Sequence, residues 1–339
     1  MRSLGHMFAA DNQFWMGSRL ASQLQEISHD PSVLSDGNFW AVVITFEGEM
    51  TFAKFGQITE SEFVHQPWKK LNAPWHSSMS KETYISYVHG IRESIADGSV
   101  YQVNACRELR TEISDGELSL QGLFTQLLVE NPAPYAQYLK IPGVEIASAT
   151  PERLLRRTGE VITTSPIKGT MTASAGEFGE KDKAENLMIV DLMRNDFGRI
   201  CLPGSVEVSE LFRTEEHPGL KHLVSDVVGS LAPNVSWREI FDAIIPAGSV
   251  SGAPKSSAVE IISQNEKIAR GPYCGALGWV QGDQAEIAVG IRTFWSTGDQ
   301  YLRFGTGAGI TWGSDADAEW EETQLKARRL ISIAGGELA

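Results

Sequence analysis

The sequence predicts an α+β layered fold built on antiparallel sheets. Three observations carry this. Hairpin signals outnumber strand–helix–strand units, the strands come in runs rather than alternating with helices, and 42% of 339 residues are hydrophobic against 21% charged, enough apolar material for a large core. Length alone allows one large or two ordinary domains. The reading is a short strand-rich lead-in, 1–75, within the same fold as a catalytic domain, 76–339.

In chain order, 39–46 is apolar and β-branched, Glu47-Gly48-Glu49 turns it back, and 50–55 returns as a hairpin partner. A Pro-, Trp- and Ser-rich connector covers 66–80. Ser80 is an N-cap candidate; Tyr84, Val88, Ile91 and Ile95 then recur along one helix face, and Gly98 stops it. A strand follows at 100–105 and a helix at 118–130, broken by Asn131-Pro132-Ala133-Pro134-Tyr135. Strands are expected at 135–139, 144–149, 153–157 and 161–164, with a turn at Thr158-Gly159-Glu160. Helices are expected at 180–194, 237–245, 255–264 and 317–333, and late strands at 276–281, 286–295 and 301–305.

The formal net charge is −14, which argues against nucleic acid or an anionic membrane as partner, since both need clustered Lys and Arg. No apolar run approaches membrane-spanning length, and the first fifteen residues lack the order of a signal peptide, so a cytoplasmic location is expected. Three scattered cysteines form neither a disulfide framework nor a zinc pattern. None sits on the Gly-flanked elbow of a glutaminase nucleophile; if ammonia is used, another chain makes it.

Two glycine-rich segments fail as nucleotide sites. Gly305-Thr306-Gly307-Ala308-Gly309 has the wrong spacing and no room for a βαβ unit after it. In the Gly248 to Ser256 segment, Ala253 and Pro254 separate the glycine from Lys255. Both read as close-approach backbone whose N–H groups could still hold a carboxylate. Asp182 with Glu185, and Glu319 with Glu322, are acids three apart, each pair on one helix face. Singly, each reads as a solvated face. Facing each other, the four acids need a cation between them, and Mg²⁺ suits one or two carboxylates plus water and substrate oxygen.

An ordered motif set then stands out. Pro166-Ile167-Lys168-Gly169-Thr170 precedes Glu185, Asp191, Arg194, Asn195 and Asp196. His222-Leu223-Val224, Ser249 to Lys255 and Gly305 to Gly309 follow, with Tyr101-Gln102-Val103-Asn104 upstream. From about residue 80 onward this resembles the chorismate-utilising enzymes. The resemblance implies an anthranilate-synthase-large-subunit-like fold, two large mostly antiparallel sheets packed as a sandwich with helices outside. It also implies Mg²⁺ dependence and chorismate as substrate. By position, Glu185 and Glu322 resemble the direct metal ligands, and Asp182 and Glu319 the partners behind them. Asp182 replaces a usual Glu, and Asn186 a usual His. Thr170, His222, Ser249, Tyr273, Arg292, Lys326 and the backbone at Gly307, Ala308 and Gly309 resemble the substrate contacts. Glu152 resembles the general acid.

Within the family, Gln102 stands where the water-activating members carry lysine, which speaks against water as nucleophile. Lys168 stands where anthranilate synthases carry alanine; lysine there resembles the aminodeoxychorismate synthase branch. The implied reaction is amination of chorismate at C4 by ammonia from a separate glutaminase subunit, through a covalent lysine adduct at C2, on the route to p-aminobenzoate and folate. The alternatives are an anthranilate synthase large subunit and a catalytically silent chorismate-binding subunit.

Overall fold

The computed structural model describes residues 11–113, 119–172, 176–217 and 220–339. Every strand ladder between the named strands described is antiparallel, as the hairpin signals predict, and the ladders join into one unbroken ribbon. One half runs from Gln102–Glu112 through Tyr301–Ile310, Thr293–Ser296 and Val144–Ser148 to Gln137–Ile141. The other runs from Arg19–Ser28 through Met50–Glu60, Phe39–Ile44, Ala276–Gln281 and Gln284–Val289 to Arg153–Thr158, Val161–Ser165 and Leu220–Ser230. Gln13–Met16 stitches the halves, pairing with Arg19–Ser28 on one edge and Gln137–Ile141 on the other. The two halves share a core: Val103, Ala105 and Ile146 of the first lie in the same apolar cluster as Val42, Ile44, Leu277 and Ile287 of the second.

Six helices are described: α1 (Lys81–Ala96), α2 (Gln121–Glu130), α3 (Glu180–Gly198), α4 (Trp237–Ile244), α5 (Lys255–Asn265) and α6 (Ala316–Ala334). Ser80 caps α1, accepting from the Thr83 N–H, and Gly98 turns the chain with φ 75°. Tyr84 of α1 meets Trp320 of α6 edge to face at 5.5 Å. The middle of α6 is pinned by Arg107, whose guanidinium lies over Trp320 and donates to Thr323 and Gln324. That fixes which way the Glu322 turn faces.

Several elements differ from the sequence reading. The region 286–295 is two strands, because Gly290 to Arg292 leaves the ladder and Arg292 takes φ 52°. The strand beginning at Tyr301 runs on to Ile310, so the glycine-rich segment lies inside a strand. The Pro-Ile-Lys-Gly-Thr motif also forms a strand, Ile167–Thr172, paired with Leu220–Ser230. The strand predicted at 100–105 runs from Gln102 to Glu112. Residue 118, the predicted start of α2, lies outside the described residues. No described helix is long and apolar enough to cross a membrane.

Candidate active site

The site forms around the strand Tyr301–Ile310. Asn104, Cys106 and Glu108 of the neighbouring strand donate their amides away from it, to Ser251 O, Glu266 Oε1 and Ser78 Oγ. Directly opposed antiparallel residues turn their amides the same way, inward together or outward together. The opposed Gly309, Gly307 and Gly305 therefore also point their N–H groups outward. Among the described residues, a strand pairs with it on that side only at Phe304 and Arg303. Lys326 Nζ reaches the freed edge, donating to Gly307 O at 3.2 Å. Amides at Gly307 and Gly309 thus point out of the ladder, whereas Ala308 points its amide into it.

The glycines are also required by space. A Cβ on Gly309 would lie 2.8 Å from Gln102 Nε2, 2.9 Å from Asn104 Oδ1 and 3.3 Å from Lys168 Nζ. One on Gly305 would overlap the Tyr273 ring. The glycine face is therefore where the Lys168 amine and the Tyr273 ring approach backbone. Gly252 serves close approach too, since its Cβ would fall 2.2 Å from Gln102 O.

Lys168 and Glu152 come together here. Burial pushes the Lys168 amine below the ordinary lysine range, Lys326 adds to this, and Glu185, Glu152 and Glu322 oppose it. Glu152 is 4% exposed. Burial pushes its carboxyl up to about 7, against the Ser249 hydroxyl, the Lys168 charge and the Ile167 N–H. An acid near neutrality beside an amine held below its usual range is the pairing acid–base and nucleophilic chemistry needs.

Each of the two acid-bearing helices brings a glutamate within electrostatic reach of Lys168. Lys181 Nζ is 3.8 Å from Glu185 Oε1 and Lys326 Nζ 2.6 Å from Glu322 Oε1. Against burial, which raises it, Lys326, Lys181 and Lys168 hold the Glu322 carboxyl below its usual range. Glu185 and Glu322 thus each have an ammonium partner from their own helix. Among the described residues no three His, Cys, Asp or Glu side chains are close enough to hold a metal unaided. The donor set is that of a hard ion completed by water and substrate. Glu319 accepts from Ser314 Oγ at 2.6 Å, and burial raises its carboxyl. Asp182 accepts from the Gly179 N–H at 3.1 Å, so its short arm caps α3. Asn186 ties α3 to the sheet, accepting from Ser225 Oγ and donating to Leu223 O.

The residues expected to contact substrate lie on several elements. Arg292 is half-buried, with no carboxylate partner among the described residues; burial and Arg329 push it down to about 10, which leaves it cationic at neutral pH. Tyr273 is buried, and its hydroxyl accepts from the Cys106 thiol at 3.9 Å. Ser249 is 6% exposed and its buried Oγ lies against the Glu152 carboxyl, while Gln102 Oε1 is buried without a hydrogen-bond partner. Such orphans are costly unless a ligand answers them. His222 is buried on the strand Leu220–Ser230, its backbone paired with Thr170. The Thr170 side chain lies outside the described set.

Sequence reasoning missed the wall behind Tyr273. Arg270 and Glu266 form a buried ion pair at 2.6 Å, and Arg270 also donates to Asn104 O and Val250 O. Their i, i+4 spacing is the one available signal. It also missed the job of Lys255, which reaches Asp196 at 2.6 Å and Ala243 O at 3.2 Å, fastening the Ser249 loop to α3.

With this geometry in hand, comparison with known proteins is informative. Residues 47–332 match the family described as chorismate binding enzyme. The chain is 33% identical to aminodeoxychorismate synthase component 1 of Escherichia coli over 340 residues, covering 93% of this chain and 74% of that protein. It is 37% identical to anthranilate synthase component 1 of Saccharolobus solfataricus over 273 residues, 77% of this chain and 64% of that one. It therefore spans under two thirds of the latter's length. Among solved structures, anthranilate synthase component I from Streptococcus pneumoniae superimposes with a TM-score of 0.79 at 21% identity, covering 98% of this chain and 93% of its own. A menaquinone-specific isochorismate synthase from Escherichia coli gives 0.80 at 17% identity, covering 98% and 91%. At such identities these two speak for the fold.

Proposed function

This chain belongs to the chorismate binding enzymes, and we propose that it aminates chorismate at C4, giving 4-amino-4-deoxychorismate. The observation that carries the reading is Lys168, an amine enclosed beside a buried acid and pushed towards neutrality. Neutral, it attacks C2 of the ring; the double bond shifts and the C4 hydroxyl leaves, taking the Glu152 proton as water. Ammonia then attacks C4, the double bond shifts back, and the lysine amine leaves C2 as the electron pair returns to it. Glu152, now a carboxylate, accepts the surplus proton. Two such displacements place nitrogen on the carbon that lost oxygen.

Arg292, Tyr273, Lys326 and the outward amides of Gly307 and Gly309 would hold the two substrate carboxylates. Glu185 and Glu322 would hold Mg²⁺, with Glu319 and Asp182 behind them, and the bound ion would supply positive charge for a substrate carboxylate. Ammonia comes from a separate glutaminase subunit, as no cysteine here sits on the Gly-flanked elbow of a glutaminase nucleophile. Anthranilate synthases are about as similar in sequence, 37% identical against 38% and 33% for two aminodeoxychorismate synthases, and Lys168 stands against that reading.

Chromatography of the products from chorismate, Mg²⁺ and an ammonium salt tests this. We expect 4-amino-4-deoxychorismate; anthranilate with pyruvate as the main products would reject the assignment.

A further inference from the structure

A cavity of about 220 Å³ lies off the catalytic centre, lined by Cys106, Tyr273, Gly305, Glu266 and Trp295, with neither Lys168 nor Glu152 on its wall. Its rim is exposed at Ser78, Thr83 and Ala269. The catalytic strand runs from this cavity to the lysine. Gly305, Gly307 and Gly309 share one face of it. A Cβ on the first would strike the Tyr273 ring, on the second the Cys106 thiol at 2.4 Å, and on the third would come within 3.3 Å of Lys168 Nζ. From cavity to lysine is thus about 13 Å of strand at ~3.3 Å per residue. The partition lying along it is the Tyr273 ring and hydroxyl and the Cys106 thiol.

The geometry points to this cavity as the port through which ammonia reaches the site, with Tyr273 and Cys106 as its inner gate. The inference rests on the proposed function only in taking ammonia as the nucleophile. The wall is mixed: Arg107, Lys267 and Arg270 line it with Glu266 and Glu108, Arg270 and the Cys106 N–H engage Glu266, and the side-chain oxygens of Ser78 and Asn265 offer acceptors to a small donor. Chorismate, a dianion, suits the opposite side, where Lys326 is half-exposed beside the freed edge of the glycine strand. Tyr273 and Cys106 fill the space that the missing Cβ atoms leave over the strand, so a molecule of ammonia's size passes only when these two side chains swing aside.

Plugging the rim tests this. Ala269→Trp, and from the facing side Ser78→Trp, place a ring over the opening without touching any group assigned to substrate or metal. Steady-state rates are measured against ammonium and against chorismate separately, with chorismate binding followed by calorimetry as the control for folding. We expect KM for ammonium to rise roughly tenfold or more in both variants while chorismate affinity stays within about twofold. An unchanged ammonium KM in both variants, with chorismate still bound, overturns the port and leaves the proposed reaction standing. A parent protein whose turnover of chorismate is independent of ammonium overturns both. The comparison holds whichever ring carbon is aminated, so product identity and port are read separately.

Discussion

Lys168→Ala is expected to lower C4 amination by about a thousandfold or more, since it removes the nucleophile of the first displacement rather than a binding contact. The shortened side chain leaves room beside Gly309, where the amine lies 3.3 Å from the point a Cβ would occupy. Ammonia can then approach C2 directly, and residual turnover shifts towards anthranilate. Both effects come from one set of reactions, with 4-amino-4-deoxychorismate and anthranilate quantified side by side. A variant that aminates C4 at the parent rate would remove lysine from the chemistry. Chorismate affinity should fall little, because Arg292, Tyr273 and the glycine amides remain.

Glu152→Gln is the second large effect, and it has two readouts of opposite sign. The amide cannot donate a proton to the leaving hydroxyl or recover one later, so kcat falls on the order of a hundred- to ten-thousandfold. Stability moves the other way above neutrality. The folded carboxyl titrates at about 7 against an ordinary 4.5, so the folded state holds the proton more tightly than the unfolded one. The parent is therefore progressively destabilised as pH rises from 4.5 through 7, and beyond 7 the deficit is constant. The variant lacks this deficit and should be more stable at pH 8 by on the order of 2–3 kcal/mol, with little difference at pH 4. Urea melts at both pH values check this. The same group sets the alkaline limb of the parent's rate profile: kcat/KM should decline above about pH 7 as Glu152 loses the proton it must give.

Much of the fold was legible because its local signals agree with its tertiary structure. Ser80, the four-three-four apolar spacing and Gly98 mark α1 at both ends, and the structure starts and stops it there. The Thr158-Gly159-Glu160 turn is where Arg153–Thr158 hands over to Val161–Ser165. The illegible parts are those where irregular backbone breaks the period. Arg19–Ser28 has Gln23 at φ 59° and shifts register between Leu24 and Glu26, and Glu207–His217 shifts between Glu210 and Arg213, where Phe212 takes φ 60°; each irregularity destroys alternation. Gly305 to Gly309 gives no strand signal because glycine has low strand propensity, yet cross-strand packing against Tyr273 and Cys106 makes glycine the residue that fits there.

Of the candidate site, the helical placement of the acid pairs was legible. Acids three apart on a helix announce a shared face, and both pairs lie on helices as expected. What spacing could not give is the way each acid is engaged. Asp182, one carbon shorter than glutamate, turns back to cap α3, while Glu319 is held by Ser314 from five residues upstream. Arg270, Glu266 and the cavity they border are assembled from segments over a hundred residues apart, which no local pattern announces.

The central claim is that the Lys168 amine bonds to the ring. Incubating the protein with chorismate and Mg²⁺ in the absence of ammonia, quenching in acid and mapping peptides by mass spectrometry reads this directly. The account predicts a peptide containing Lys168 that carries chorismate less one water, absent from Lys168→Ala and discharged when ammonium is added before the quench. Efficient C4 amination by a protein whose Lys168 peptide never gains that mass would contradict it.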